Sequence, residues 1–186
     1  MKSQNYSMAR QTEAVLLLIL AASATALATA ELSDAYFDKL VQEAAHRQVN
    51  EKCGKCCSNG WVISDKRCYI YQATRMIWAS AEKHCQNLGG HLISIQNDND
   101  YRLAKSVIRI HDPGENPTWI GLSDCQKRNH WFWTDGSKMT YTKWNPREPN
   151  HILGECCVQM NHGKMKDWND VGCKKKFPFV CAKSFY

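Results

Sequence analysis

The chain has 186 residues, 10 of them cysteine, and carries 24 Lys and Arg against 18 Asp and Glu, a formal charge of +6. That cysteine content, behind an N-terminal export signal, points to disulfides in an oxidising compartment rather than to metal thiolates. The positive excess is spread out apart from Lys174-Lys175-Lys176, which argues against nucleic acid as a partner and supports only a modest attraction to anionic surfaces.

Met1 to Glu13 carries Lys2, Arg10 and Glu13, and Ala14 to Ala30 is apolar or small throughout. The run is shorter than the roughly 20 residues a membrane span needs and closes on the small-residue site Ala28-Thr29-Ala30. Residues 1–30 therefore read as a signal peptide, with the mature chain beginning at Glu31. An uncleaved type II membrane anchor is the rival reading. No second apolar run follows, so the mature chain is expected to be secreted, without a membrane span, at a formal charge of +5 once Lys2, Arg10 and Glu13 are gone. What remains has room for one domain and a short N-terminal extension.

Leu32 to Glu51 predicts an amphipathic helix, capped by Ser33 or Asp34, with Phe37, Leu40, Val41, Ala44 and Ala45 near helical spacing. This neck, residues 31–52, spans only about two heptads, short of a coiled coil. Its apolar stripe could pack on its own domain or on a partner chain. The cysteine-rich module, residues 53–186, follows. Gly60-Trp61-Val62-Ile63 and Cys68-Tyr69-Ile70-Tyr71 read as strands. Thr74 is a candidate cap for a helix to about Asn87, with Ile77, Ala81, Cys85 and Leu88 inward and Gly89-Gly90 as its stop. His91 to Ile95 is a short strand. Asn97 or Asp98 opens a second helix, with Leu103, Ala104, Val107 and Ile108 inward, ended by Asp112-Pro113-Gly114. Further strands are expected at Trp119 to Leu122, Trp131 to Trp133, Tyr141-Thr142, Cys157 to Met160 and Phe179 to Cys181, with a turn at Asp135-Gly136. Helices first, then short strands separated by long loops, give an α+β class.

Chemistry concentrates late in the chain. Glu148-Pro149-Asn150, then Glu155, then Trp168-Asn169-Asp170 supply three carboxylates and two amide carbonyls within 23 residues. All are hard oxygen donors, which suits Ca²⁺ with its six to eight oxygen ligands better than zinc. An X-Pro bond is the peptide bond with ready access to cis. A cis Glu148-Pro149 bond could turn the Glu148 and Asn150 oxygens toward one point. His84 and His91 are set aside as metal ligands, since they fall at a helix end and a strand start and no acidic partner is expected for either. The seven tryptophans, Trp61, Trp78, Trp119, Trp131, Trp133, Trp144 and Trp168, are expected mostly in the core. No nucleophile elbow, Gly-rich phosphate loop or spaced acid pair occurs, so an enzyme is not expected.

Glu148-Pro149-Asn150, Trp168-Asn169-Asp170, a cysteine pair closing on the C-terminus and the preceding Trp119-Ile120-Gly121-Leu122 together resemble the C-type lectin-like domain, over about Cys57 to Lys183. Glu155 to Met160 and Leu122-Ser123-Asp124-Cys125 are most similar to secreted fish C-type lectins and type II antifreeze proteins. The resemblance implies two helices, small antiparallel sheets and a long calcium-binding loop region. It also implies disulfides Cys57–Cys68, Cys85–Cys181 and Cys157–Cys173, with Cys125–Cys156 added by the fish subgroup. Cys53 and Cys56 are left over, for a local bridge or an interchain one that would link a homo-oligomer.

Carried over residue by residue, the family's calcium site falls on Glu148, Asn150, Glu155, Asn169 and Asp170, and the same residues would contact sugar. Glu-Pro-Asn goes in this family with equatorial 3- and 4-hydroxyls, as in mannose, glucose, N-acetylglucosamine and fucose-like sugars; Gln-Pro-Asp goes with galactose. His151 and Val171 are expected to flank the sugar. Two departures stand out. His151-Ile152-Leu153-Gly154 is one residue shorter than in many mannose-type members, and the acids of an accessory calcium site are missing except Asp124, so one calcium ion is expected. The expected function is secreted, calcium-dependent, mannose-type sugar binding, directed at microbial or cell-surface glycans in innate defence. The alternative is a type II antifreeze protein that binds ice on the same scaffold.

Overall fold

The computed structural model describes residues 60–64 and 67–184, together with 36, 38–39, 42–43 and 57. The expected signal peptide, the apolar stripe of the neck, and Cys53 and Cys56 lie outside the described residues. The chain divides into two units, Met1–Phe37 and Asp38–Tyr186. In the first, Tyr36 alone is described; it is helical and exposed.

The second unit is α+β. Its elements are β1 (Val62–Ser64), β2 (Arg67–Met76), α1 (Trp78–Asn87), β3 (His91–Leu92), α2 (Asp98–His111), β4 (Thr118–Ser123), β5 (Phe132–Trp133), β6 (Cys157–His162), β7 (Asp167–Val171) and β8 (Phe177–Ser184). They form one sheet in the order β1-β2-β8-β4-β6-β7, with β3 also on β8 and β5 on β4. β8 runs antiparallel to β2, with Tyr69 opposite Ala182, so the last strand lies beside the first ones. It meets β4 in parallel at Trp119 and Phe179.

Both helices start where a partner satisfies their free N–H groups. Asn97 caps α2 by accepting from the Asp100 N–H at 2.9 Å, as expected from the sequence. The start of α1 differs. Thr74 is not its cap but part of β2, because after a register shift Met76 still pairs with Phe177 and holds the chain extended. The helix then begins after Ile77 without a side-chain cap, and the Trp78 N–H donates instead to the Cys173 carbonyl at 3.1 Å. Gly89, at φ +82°, ends α1. Gly90 follows because a Cβ there would lie 2.3 Å from the Ala182 carbonyl oxygen.

Two apolar clusters form the core. Ile93, Ile95, Leu103, Val107, Ile108, Ile120, Leu122, Val158, Met160 and Trp168 join α2 to the sheet. Trp61, Ala81, Cys85, Leu92, Trp119 and Phe179 lie under α1. Disulfides join Cys57 to Cys68, Cys85 to Cys181, Cys125 to Cys156 and Cys157 to Cys173. Among the described neck residues, Asp38 is helical and accepts from Ser106 Oγ at 2.7 Å and Arg109 Nη2 at 2.8 Å, both on α2. Two strand assignments differ from expectation. Tyr141-Thr142 forms no strand. Asp167–Val171 does, although Asp167, Asn169 and Asp170 are polar, and each of these is buried.

Candidate functional site

The loop before β6 is laced to β7 as though it were another strand. Trp168 N–H donates to the Lys143 carbonyl at 2.7 Å and Asn145 N–H to the Trp168 carbonyl at 2.9 Å. Asn145 adds a side-chain bond to the His162 carbonyl at 3.0 Å. Trp168, fully buried, packs edge-on against Trp133, Tyr141 and Trp144 and forms the floor of this region.

These bonds bring Glu148-Pro149-Asn150 beside Asp170. The Glu148-Pro149 peptide is cis. Asp170, 0% exposed, accepts from the Asn150 N–H at 2.9 Å and the His151 N–H at 2.7 Å. The Asn150 amide donates to Glu148 Oε1 at 3.1 Å, and its oxygen accepts from the Ile152 N–H at 2.9 Å. The second Glu148 oxygen, Oε2, is buried without a hydrogen-bond partner. Burial, followed by the adjacent Asp170 carboxylate, pushes Glu148 up to about 7, against a smaller opposing effect of the Asn150 amide. Burial and then Asp170 also raise the Glu155 carboxyl, while Lys175 and two histidines oppose this. Three carboxylates thus crowd one another without enough nearby positive charge. An orphaned oxygen and mutually repelling hard donors fit a divalent hard cation such as Ca²⁺.

Of the predicted site residues, Glu148, Asn150 and Asp170 are in hydrogen-bond contact and Glu155 is within electrostatic reach of them. Asn169 lies buried next to Asp170, across the ladder from Gln159. The two predicted flanking residues are placed otherwise. Val171 is 1% exposed and belongs to the apolar cluster under α1, since alternation along β7 turns it away from Asp170. The His151 ring is 8% exposed; it is held by a 2.8 Å contact to Asp124 Oδ2 and lies tilted against Trp131, ring centroids 5.7 Å apart. The Val171 side chain offers no open face to a ligand.

Asp124 is the residue that sequence reasoning undervalued. It is buried, takes the Asn129 N–H at 2.7 Å as well as His151, and its Oδ1 has no partner. The available signal was its place next to Cys125, whose bridge to Cys156 draws the two loops together. A pocket of about 230 Å³ lies there, lined by Asp124, Arg128, His151, Gly154, Glu155 and the bridge. His91 also differs from expectation: it does have an acidic partner, Glu82, at 2.7 Å. Glu82 accepts from the Leu92 N–H too, at 2.9 Å, so this pair joins α1 to β3. The sulfurs of Cys125, Cys156, Cys157 and Cys173 lie within 4.8 Å of one another. They are paired as two disulfides and offer no thiolate to a metal.

Residues 74–183 match the family model described as the lectin C-type domain. A type-2 ice-structuring protein of Brachyopsis segaliensis is 38% identical over 69% of this chain and 73% of its own length. A lactose-binding lectin of Anguilla japonica is 36% identical over 74% and 84%. The solved structure of herring type II antifreeze protein superposes with a TM-score of 0.65 at 34% identity, covering 69% of this chain and 98% of its own. Among the described residues no helix is long and apolar enough to cross a membrane.

Proposed function

The chain belongs to the C-type lectin domain family, and on that premise we propose that it is a secreted, calcium-dependent sugar-binding protein of the mannose type. Its targets would be microbial or cell-surface glycans, in innate defence. The observation that carries this reading is the convergence of Glu148, Asn150 and Asp170 around a buried Glu148 oxygen that has no hydrogen-bond partner. One calcium ion would be held by Glu148, Asn150, Glu155, Asn169 and Asp170. When bound, it supplies coordination positions to two neighbouring hydroxyls of a sugar. The chain does the rest. Carboxylates only accept, so Glu148 and Glu155 would accept hydrogen bonds from the sugar O–H groups, while the Asn150 and Asn169 amides would donate to the hydroxyl oxygens. The order Glu then Asn favours equatorial 3- and 4-hydroxyls: mannose, glucose, N-acetylglucosamine and fucose-like sugars.

The lactose-binding relative makes a sharp comparison, because lactose ends in galactose, whose 4-hydroxyl is axial. Immobilised mannose and N-acetylglucosamine should retain this protein in calcium and release it with chelator, and immobilised galactose should retain it far less. Retention on galactose alone overturns the reading. Ice binding is the second reading, favoured by relatives that are named ice-structuring or antifreeze proteins. Ordered hydroxyls on a flat face suit ice, whereas Ile152 and Leu153 beside the Glu148 loop are exposed and apolar. Thermal hysteresis with no sugar retention would establish ice binding instead.

A further inference from the structure

Ile152–Gly154 is a 3₁₀ turn next to the Glu148–Asn150 loop. It carries the most exposed large apolar side chain among the described residues: Leu153 is 101% exposed, and Ile152 before it 57%. Leu153 also holds φ 51° and ψ 32°, a left-handed conformation that any residue with a Cβ adopts only at a cost. His151 and Gly154 on either side of this pair have positive φ as well. A leucine that buries nothing and strains its own backbone contributes nothing to folding; asparagine or glycine would sit there more easily. Its benefit must come from something outside the molecule.

The surroundings indicate what that is. The Cys125–Cys156 bridge fixes the loop bearing exposed Lys127 and Arg128 on one side, and Arg128 lines the same pocket as Gly154. Close to the same bridge, Cys173 Sγ lies 3.5 Å from Cys156 Sγ and 3.6 Å from Cys125 Sγ. Exposed Lys174, Lys175 and Lys176 follow it, with Lys175 in electrostatic reach of Glu155. Two aliphatic side chains are too few for a stable protein interface. Flanked by five cations, they suit the headgroup zone of an anionic bilayer, where modest apolar burial and phosphate attraction act together. We propose that the Ile152–Leu153 turn docks on anionic phospholipid surfaces, its aliphatic groups entering the headgroup layer while Lys127, Arg128 and Lys174 to Lys176 face the phosphates. This surface goes beyond sugar binding, since it needs no sugar on the membrane.

The test is co-sedimentation of the full chain, expressed through a secretory pathway, with vesicles of phosphatidylcholine containing about 30% phosphatidylglycerol. Pure phosphatidylcholine vesicles are the control. The protein should bind the anionic vesicles, much less the neutral ones, and added salt should weaken binding. Leu153→Asn, which suits the left-handed backbone, should lower partitioning about tenfold without lowering the thermal midpoint or retention on mannose. No binding to anionic vesicles, or equal binding by Leu153→Asn, overturns the proposal. Vesicle binding by a protein that mannose does not retain would refute the sugar reading and leave this one standing.

Discussion

Asp170 accepts from two consecutive backbone N–H groups while wholly shielded from solvent, so Asp170→Ala should remove calcium binding and also leave two part-buried donors without their acceptor. We expect a loss of about 2–4 kcal/mol in chelator, read from urea denaturation; full stability with calcium binding intact would refute the assignment. Glu148 supplies a pH signature. Burial and the adjacent Asp170 push its folded carboxyl up to about 7, above the usual carboxylate range, so the fold holds this proton more tightly than the unfolded chain does. Metal-free protein should therefore lose stability as pH rises from about 4.5 to 7, and Glu148→Gln should flatten that slope. Calcium affinity should climb over the same interval as the proton leaves. Equal calorimetric affinity at about pH 5 and pH 8 would contradict carboxylate ligation. Exchanging Glu148→Gln with Asn150→Asp swaps acceptor-only and mixed groups at a constant ligand count. Column retention should shift from mannose toward galactose. At this scale the cluster of hard oxygen donors was legible, because residue identity alone announces it. The positions of His151 and Val171 were not, because one is set by Asp124, 27 residues away, and the other by the pleat of β7.

The secondary elements were legible wherever local chemistry alone decides them. Asn97 caps α2 and Gly89 stops α1 through bonds reaching only a few residues. The start of α1 was not, since its free N–H is satisfied by Cys173, nearly a hundred positions along the chain. Nor was β7, whose buried polar residues break the apolar alternation by which strands are recognised. Gly90 shows a packing demand no periodicity reveals. Gly90→Ala would press a methyl against the Ala182 carbonyl and should cost about 1–3 kcal/mol by forcing β3 from β8. A drop in thermal midpoint with near-native circular dichroism is the expected observation.

For the whole molecule, the α+β class followed from the order of elements, but the cysteine pairing came from the family resemblance, because spacing alone leaves many combinations. Assembly is proposed to rest on Cys53 and Cys56, with several weak sugar sites gaining avidity when chains are linked. Unreduced protein should then run as a dimer or ladder that collapses on reduction, and a Cys53→Ser, Cys56→Ser double variant should run as a monomer. A single monomer band from unreduced wild type would indicate the local bridge instead. Asp38 already engages Ser106 and Arg109 of its own domain, so any pairing of necks must accommodate that contact.

The bridges also set how the domain carries load. Pull on its two ends, and the shortest covalent route enters at Cys57, crosses to Cys68, follows the backbone to Cys85 and leaves through Cys181. Residues 86 to 180, which include Glu148 and every other proposed ligand, hang from that route as a side loop and bear none of the tension along it. Between Cys57 and Cys181, stretching can lengthen the chain only in the short span from Cys68 to Cys85, so a tethered molecule tugged by flow would keep the loops of the proposed calcium site slack and in shape.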